Sequence, residues 1–228
     1  MEFVGIDKFS LLDYDNYVSV VLFAPTCNFR CPFCHNGTTV LDSQNSISFD
    51  EILQFLQTRK GLVDAVVFTG GEPTLMPELK KRIAVVKRLG FLIRLDTNGT
   101  NYTVLKDLLD NHLIDYVAMD VKNSFERYPQ TCGVDNFRQS NIEESINLLK
   151  KNVVNYEFRT TLVEEYHSED SINEMGILLN GAHNLYLQKF VDREGVIKKG
   201  LHEISREKAI IFQKLLQKYI KNVKLRGY

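Results

Sequence analysis

Short apolar, β-branched runs alternate along the chain with longer stretches in which apolar residues return every three or four positions. The runs at 18–24 (VSVVLFA), 64–69 (DAVVFT), 91–96 (FLIRLD), 116–120 (YVAMD), 155–161 (NYEFRTT) and 184–190 (NLYLQKF) predict six strands. Their starts lie 46, 27, 25, 39 and 29 residues apart. A crossover between parallel strands needs a dozen or more residues, so this spacing predicts β-helix-β units and not hairpins. Ser48, ahead of Asp50 and Glu51, opens a helix with Ile52, Phe55 and Leu56 on one face and Gly61 as its stop. Pro77 opens another, in which Leu79, Ile83, Val86 and Leu89 hold the 3.6 period up to Gly90. Similar patterns cover 102–111, 142–151, 171–179 and 205–221; in the last, Ile210, Ile211, Leu215 and Tyr219 are expected inward and Arg206, Lys208, Lys214 and Lys218 outward. Six such units make either a doubly wound open sheet or an incomplete barrel. Eight full units typically take about 250 residues, more than this chain has. Residues 125–140 read as an irregular connection and 192–201 as a glycine- and lysine-rich loop.

Composition narrows the class further. Apolar residues at 44%, charged residues at 25% and only 5 prolines describe an ordinary folded domain and exclude disorder as the main state. The expectation is one domain over residues 1–228, with its core at about 15–190 and a C-terminal helix and tail at 191–228. Against 29 Asp and Glu stand 28 Lys and Arg, a net charge of −1 that excludes a polycation built to coat nucleic acid or an anionic membrane. The longest largely apolar runs, such as 18–25 and 62–69, are 8 residues long, where a bilayer span takes about 20. MEFVGIDKFSLLDYDNY lacks the apolar stretch of an export signal. A cytoplasmic protein with no nucleic-acid or membrane partner is expected.

Three of the four cysteines, Cys27, Cys31 and Cys34, fall within eight residues just after the first predicted strand, in the spacing C-x3-C-x2-C. In a reducing compartment such clustering points to metal ligation over disulfides. Three thiolates this close can wrap one inorganic centre, whereas a structural zinc or a fully ligated four-iron cluster wants four ligands. Cys132 lies about a hundred residues away without a paired ligand motif. His35 could complete a Cys3His zinc site, but adjacent residues rarely reach one tetrahedral ion together. The other solution is a [4Fe-4S] cluster with three protein ligands and one iron left open.

Three further segments sit at the ends of predicted strands. TGGEPTL places Gly70, Gly71 and Glu72 directly after the second strand, where glycines let backbone approach a ligand and a buried acid can meet an ammonium. LDTNG brings Asp96, Thr97 and Asn98 after the third, and AMDVK brings Asp120 and Lys122 after the fourth. Strand-end acids often only cap the next element. These, however, share the end of adjacent parallel strands at which such folds place ligands. Arg159 in FRTTLV is a buried-strand arginine in need of a carboxylate partner, and Gln188 is a polar residue at the end of the sixth strand.

CNFRCPFC, with aromatic Phe33 before the third cysteine, resembles the signature of the radical S-adenosylmethionine (SAM) enzymes, and TGGEP resembles their GGE segment. The resemblance implies an incomplete parallel α/β barrel of about (β/α)6, and a cluster whose open iron takes the amino and carboxylate groups of SAM. It also implies reductive cleavage of SAM to methionine and a 5′-deoxyadenosyl radical, with no side chain needed as acid, base or nucleophile. DTNG and AMDVK are similar to segments of glycyl-radical enzyme activases, which implies that Asp96 and Asp120 border SAM and a monovalent cation and that Lys122 approaches the SAM carboxylate or ribose. Arg159 and Gln188 are further candidates for SAM contact. The runs GIDKFSLLDYDNYVSVVLFAPTCNFRCPFCHN, KGLVDAVVFTGGEPTL, LGFLIRLDTNGT and IDYVAMDVK together resemble the longer form of the activating proteins of anaerobic ribonucleoside-triphosphate reductases. Asp15 departs from the Pro-Gly common there, in a turn that Asp15 and Asn16 can remake. The implied partners are an anaerobic ribonucleotide reductase and an electron donor such as flavodoxin or ferredoxin. Another glycyl-radical enzyme, a small-molecule substrate, or a zinc-bound interaction module without catalysis are the competing readings.

Overall fold

A computed structural model of the protein describes residues 2–37 and 45–228. Eight strands form one sheet in unbroken chain order: β1 (Gly5–Ser10), β2 (Ser19–Ala24), β3 (Ala65–Gly70), β4 (Leu92–Thr97), β5 (Tyr116–Asp120), β6 (Asn155–Leu162), β7 (Asn184–Lys189) and β8 (Asn222–Arg226). From β2 to β8 every neighbouring pair is parallel. Right-handed crossovers in an order that never reverses keep the helices on one face, whereas a doubly wound sheet needs a reversal. The result is the incomplete parallel barrel that the spacing allowed. Among the described residues the helices are α1 (Phe49–Gln57), α2 (Leu79–Arg88), α3 (Tyr102–Asp110), α4 (Tyr128–Cys132), α5 (Gln139–Leu149), α6 (Glu169–Leu178) and α7 (Arg206–Leu216). Ser48 caps α1 in a reciprocal capping box with Glu51, as its position ahead of two acids suggests.

Six strands lie where the apolar runs place them. Four features differ from expectation. β1 pairs antiparallel with β2, and its sequence GIDKFS hides it, because Asp7, Lys8 and Phe9 are exposed on an edge strand. The 125–140 connection contains α4. The helix expected over 205–221 stops at Leu216, and the following residues enter the sheet as β8, so the C-terminal segment is part of the barrel wall and not a tail. The inward face of α7 is also rotated from the expected one. Ala209, Phe212 and Leu216 are buried while Ile211 is exposed, which satisfies i, i+3, i+7 spacing around a different residue set.

Strand alternation divides the core into two unlike halves. Leu22, Phe68, Ile93, Leu95, Val117, Phe158 and Leu187 belong to the large apolar core beneath the helices. The alternate residues face the concave side. There Tyr14, Val21, Ala65 and Val67 form a small separate apolar cluster, and beside it lies a buried set of charges. Glu157 on β6 is fully buried. It accepts hydrogen bonds from Arg94 Nη2 at 3.3 Å, from Arg226 Nη1 and Nη2 at 3.1 Å each, and from the Tyr116 hydroxyl at 3.2 Å. Through Arg226, whose guanidinium lies 3.8 Å from the Tyr186 ring centre, β8 is fastened to the middle of the barrel.

Removing one partner of a buried ion pair leaves the other uncompensated. Glu157→Gln is therefore expected to lower stability in urea unfolding by about 3 kcal/mol, with amide exchange of Val223 and Leu225 accelerated first. A loss below about 1 kcal/mol would show that Glu157 does not fasten β8.

Candidate active site

At the C-terminal ends of β3 to β7, beside the loop that follows β2, lies a cavity of about 350 Å³. Cys27, Cys31, Phe33, Cys34, Gly70, Gly71, Glu72, Asp96, Thr97, Asn98, Asp120, Lys122, Arg159 and Gln188 all line it. The structure thus gathers every sequence-predicted site residue into one place. Asp13, Phe29, His35, Asn36, Thr69, Thr161 and Ile197 also line it.

The cysteine loop is held from several sides. Cys34 N–H donates to the Cys31 carbonyl at 2.9 Å, Arg30 N–H to the Cys132 carbonyl at 2.8 Å, and Lys198 N–H to the Pro32 carbonyl at 2.8 Å. Gly133, at φ +69°, lets the end of α4 press so close that a Cβ there would come within 2.2 Å of the Arg30 carbonyl oxygen. Two donors already reach the Cys27 sulfur, Phe29 N–H at 3.3 Å and Asn98 Nδ2 at 3.9 Å. Burial, reinforced by Glu72 nearby, pushes the Cys27 thiol up to about 11. Burial likewise pushes Cys31 up to about 12. Phe33 is buried with its ring 6.0 Å from that of Tyr166.

Among the described residues no three His, Cys, Asp or Glu side chains converge closely enough to hold a single metal ion. His35 is turned elsewhere, with Nε2 2.9 Å from the Val191 carbonyl oxygen and its ring stacked 5.7 Å from that of Phe190. A Cys3His zinc site is therefore not formed. Three sulfurs spread round one cavity, with N–H donors on one of them, are a donor set suited to the larger iron-sulfur cluster.

The glycines of the GGE turn pack directly against the start of the cysteine loop. At Gly71 a Cβ would lie 2.1 Å from the Thr26 carbonyl oxygen, and at Gly70, with φ +98°, 2.5 Å from Ala24 N. The close approach these glycines permit is therefore backbone against backbone, between this turn and the start of the cysteine loop. Gly71 N–H donates to the Ala24 carbonyl at 2.9 Å and Glu72 N–H to the Thr26 carbonyl at 2.6 Å. Glu72 is buried, as expected, and its carboxylate is engaged within the chain. Its carboxylate accepts from Thr74 N–H (3.1 Å), the Thr74 hydroxyl (2.6 Å), the Thr97 hydroxyl (2.7 Å) and Asn98 N–H (2.7 Å). It braces the turn after β3 to the turn after β4, and Asn98 Nδ2 carries the brace on to Asn28 Oδ1 at 2.9 Å.

Asp96 and Asp120 meet through Arg159, which stands opposite Asp120 in the β5–β6 register. Arg159 Nη1 donates to Asp96 Oδ2 at 2.9 Å and Nε to Asp120 Oδ1 at 2.8 Å. Lys122 Nζ donates to Asp120 Oδ2 at 2.9 Å. Burial would raise Asp120, yet Arg159 and Lys122 override it and hold the carboxyl at about 2. Asp96 is held low in the same way, against burial, by Arg159 and Arg94. Arg94 was missed by the sequence reading although it lies two residues before Asp96, and so on the same face of β4. Thr161, two after Arg159, carried the same period-2 signal. Thr161 stands opposite Gln188 in the β6–β7 register.

The profile of the radical SAM superfamily matches residues 21–175. The chain belongs to this superfamily. Within it, a Methanocaldococcus jannaschii protein named as a glycyl-radical enzyme activating enzyme is 35% identical over 228 residues, covering 97% of this chain and 94% of its own. That places the chain among the glycyl-radical enzyme activating enzymes. The pyruvate formate-lyase-activating enzyme of Staphylococcus aureus is 27% identical over 180 residues, 72% of this chain and 70% of its own. In fold, the chain resembles the structure of SuiB from Streptococcus suis bound to S-adenosylmethionine, with TM-score 0.70 and 14% identity over 91% of this chain and 50% of that one. Among the described residues no helix is long and apolar enough to cross a membrane.

This radical SAM enzyme uses a [4Fe-4S] cluster and SAM. Held by Cys27, Cys31 and Cys34, such a cluster would supply the electron for reductive cleavage of SAM and so a hydrogen-abstracting radical. The chain's own residues supply a partly open cavity lined by three cysteine thiols and a fixed set of charges.

The packing of Gly71 on Thr26 leads to a specific expectation. Gly71→Val must push the cysteine loop aside, so iron and sulfide content after anaerobic reconstitution should fall together with SAM binding; normal cluster content would show that the loop yields freely. Single alanine substitutions of Cys27, Cys31 and Cys34 are each expected to abolish the brown chromophore. Cys132→Ala should keep it, because its Sγ lies within hydrogen-bonding reach of the Pro129 and Val134 carbonyl oxygens at 3.8 and 3.5 Å.

Proposed function

We propose that this enzyme installs a glycyl radical on an anaerobic ribonucleotide reductase. Cys27, Cys31 and Cys34 hold the cluster. The Gly70-Gly71 main chain, Asp96, Thr97, Asn98, Asp120, Lys122, Arg159 and Gln188 shape the SAM site around it, with Phe33 packed at its edge. Flavodoxin or ferredoxin supplies the electron, and the whole works in the cytoplasm. The observation that carries the reading is a cavity at the mouth of a barrel that does not close. Among the described residues β8 has no strand on its far side, and such a gap suits a substrate that arrives as a loop of another protein. A reactive radical has to be shielded from water until its target is seated, and the partner's glycine loop would be that seal. The likeness of the four quoted sequence runs to reductase activators supports this partner. Relatives named for pyruvate formate-lyase support a second reading, in which the partner is a formate lyase.

Reduced enzyme and SAM, mixed anaerobically with each candidate partner, discriminate between them. With the reductase, 5′-deoxyadenosine formation should rise and a glycyl doublet should appear in electron paramagnetic resonance, then vanish when the reductase glycine is replaced by alanine. A doublet on a formate lyase alone would replace the partner. Stimulation by a small molecule with no protein radical would overturn the reading.

A further inference from the structure

The resemblance to glycyl-radical activases implies a monovalent cation beside Asp96 and Asp120, and the donors found there do not fit one. A metal ion in such a place needs carboxylate oxygens free to face it. Each of the four oxygens already accepts a hydrogen bond from a cationic side chain. Asp96 Oδ1 accepts from Arg94 Nε at 2.8 Å, and Asp96 Oδ2 from Arg159 Nη1 at 2.9 Å and the Thr69 hydroxyl at 3.2 Å. Asp120 Oδ1 accepts from Arg159 Nε at 2.8 Å and Oδ2 from Lys122 Nζ at 2.9 Å.

Charge gives the same answer independently. Counting Glu157 and Arg226, which are linked to the two acids through Arg94, the side chains Arg94, Lys122, Arg159 and Arg226 set four positive charges against three carboxylates, one positive charge in excess. A further cation would be repelled and would have to displace a guanidinium held by two charge-assisted hydrogen bonds. The side chains of Arg159 and Asp96 are only 13% and 11% exposed, which leaves little water to screen that repulsion.

We infer that Arg159 is the resident cation of this site: its guanidinium bridges Asp96 and Asp120 in place of a metal ion, and SAM binds without one. Arginine suits the task because it never loses its proton and its planar fork can serve two carboxylates at once. The site is thereby independent of the potassium and sodium around it. The inference rests on the cavity being the SAM site.

The test uses the cluster-loaded enzyme in buffers of equal ionic strength whose sole monovalent cation is potassium, sodium or tetramethylammonium, an ion too large to enter. Calorimetric SAM affinity and the thermal midpoint without SAM should each be the same in all three, affinity to within about twofold. In Arg159→Gln, SAM should bind at least about tenfold more weakly in tetramethylammonium, with recovery in potassium or sodium as the freed acids take up the ion. Arg159→Lys, which keeps a charge, should recover part of the affinity in every buffer. An affinity or thermal midpoint of the unaltered enzyme that rises saturably with potassium or sodium would overturn the inference whether or not the variants fold. If SAM binds in none of the buffers while the midpoint stays indifferent to the cation, the resident cation stands and the SAM site lies elsewhere.

Discussion

The structure depends on a chain of buried and half-buried charges that runs across the concave face of the sheet. From Arg226 on β8 it passes to Glu157 on β6, to Arg94 and Asp96 on β4, back to Arg159 on β6, and on to Asp120 and Lys122 at the end of β5. Isolated, any one of these charges would be costly to bury. Linked, each supplies the counter-ion of the next. Strand alternation makes the arrangement possible, because it turns apolar side chains to the helices and leaves these residues to one another.

A second constraint joins the loops above that chain. The turns after β3 and β4 and the loop after β2 are not three independent ligand-bearing segments. Glu72 ties the first two, Asn98 and Asn28 tie the second to the third, and the backbone contact of Gly71 with Thr26 joins the first to the third. Changes at one are expected to be felt at the others, since residues in one hydrogen-bond network do not behave additively.

Much of this was legible in the sequence, and what was not failed for local reasons. The six strands β2 to β7 declared themselves through β-branched runs, and the site residues through their positions at strand ends. β1 was hidden because an edge strand needs no apolar alternation. β8 was hidden because it is only 5 residues long and follows directly on a stretch whose helical spacing runs to 221. The packing of Gly71 and Glu72 was not legible for another reason. A motif gives chemistry and spacing, but whether a glycine faces a ligand or another stretch of backbone is decided by packing between segments about 45 residues apart in the chain, as Thr26 and Gly71 are.

The clamping of the cysteine loop by α4 on one side and by the 192–201 segment on the other has a consequence for how the cofactor is acquired. Small metal-binding domains commonly stay unfolded until the metal arrives, since their ligand loops have nothing else to order them. Here the loop is ordered by hydrogen bonds to Cys132 and Lys198 and by its own apolar residues, Phe29 and Phe33, in the core. Its conformational entropy is lost when the chain folds, and not when the cluster is inserted. The contacts that order the loop are therefore separate from those that would hold the cofactor, and folding of the scaffold does not have to wait for iron and sulfide.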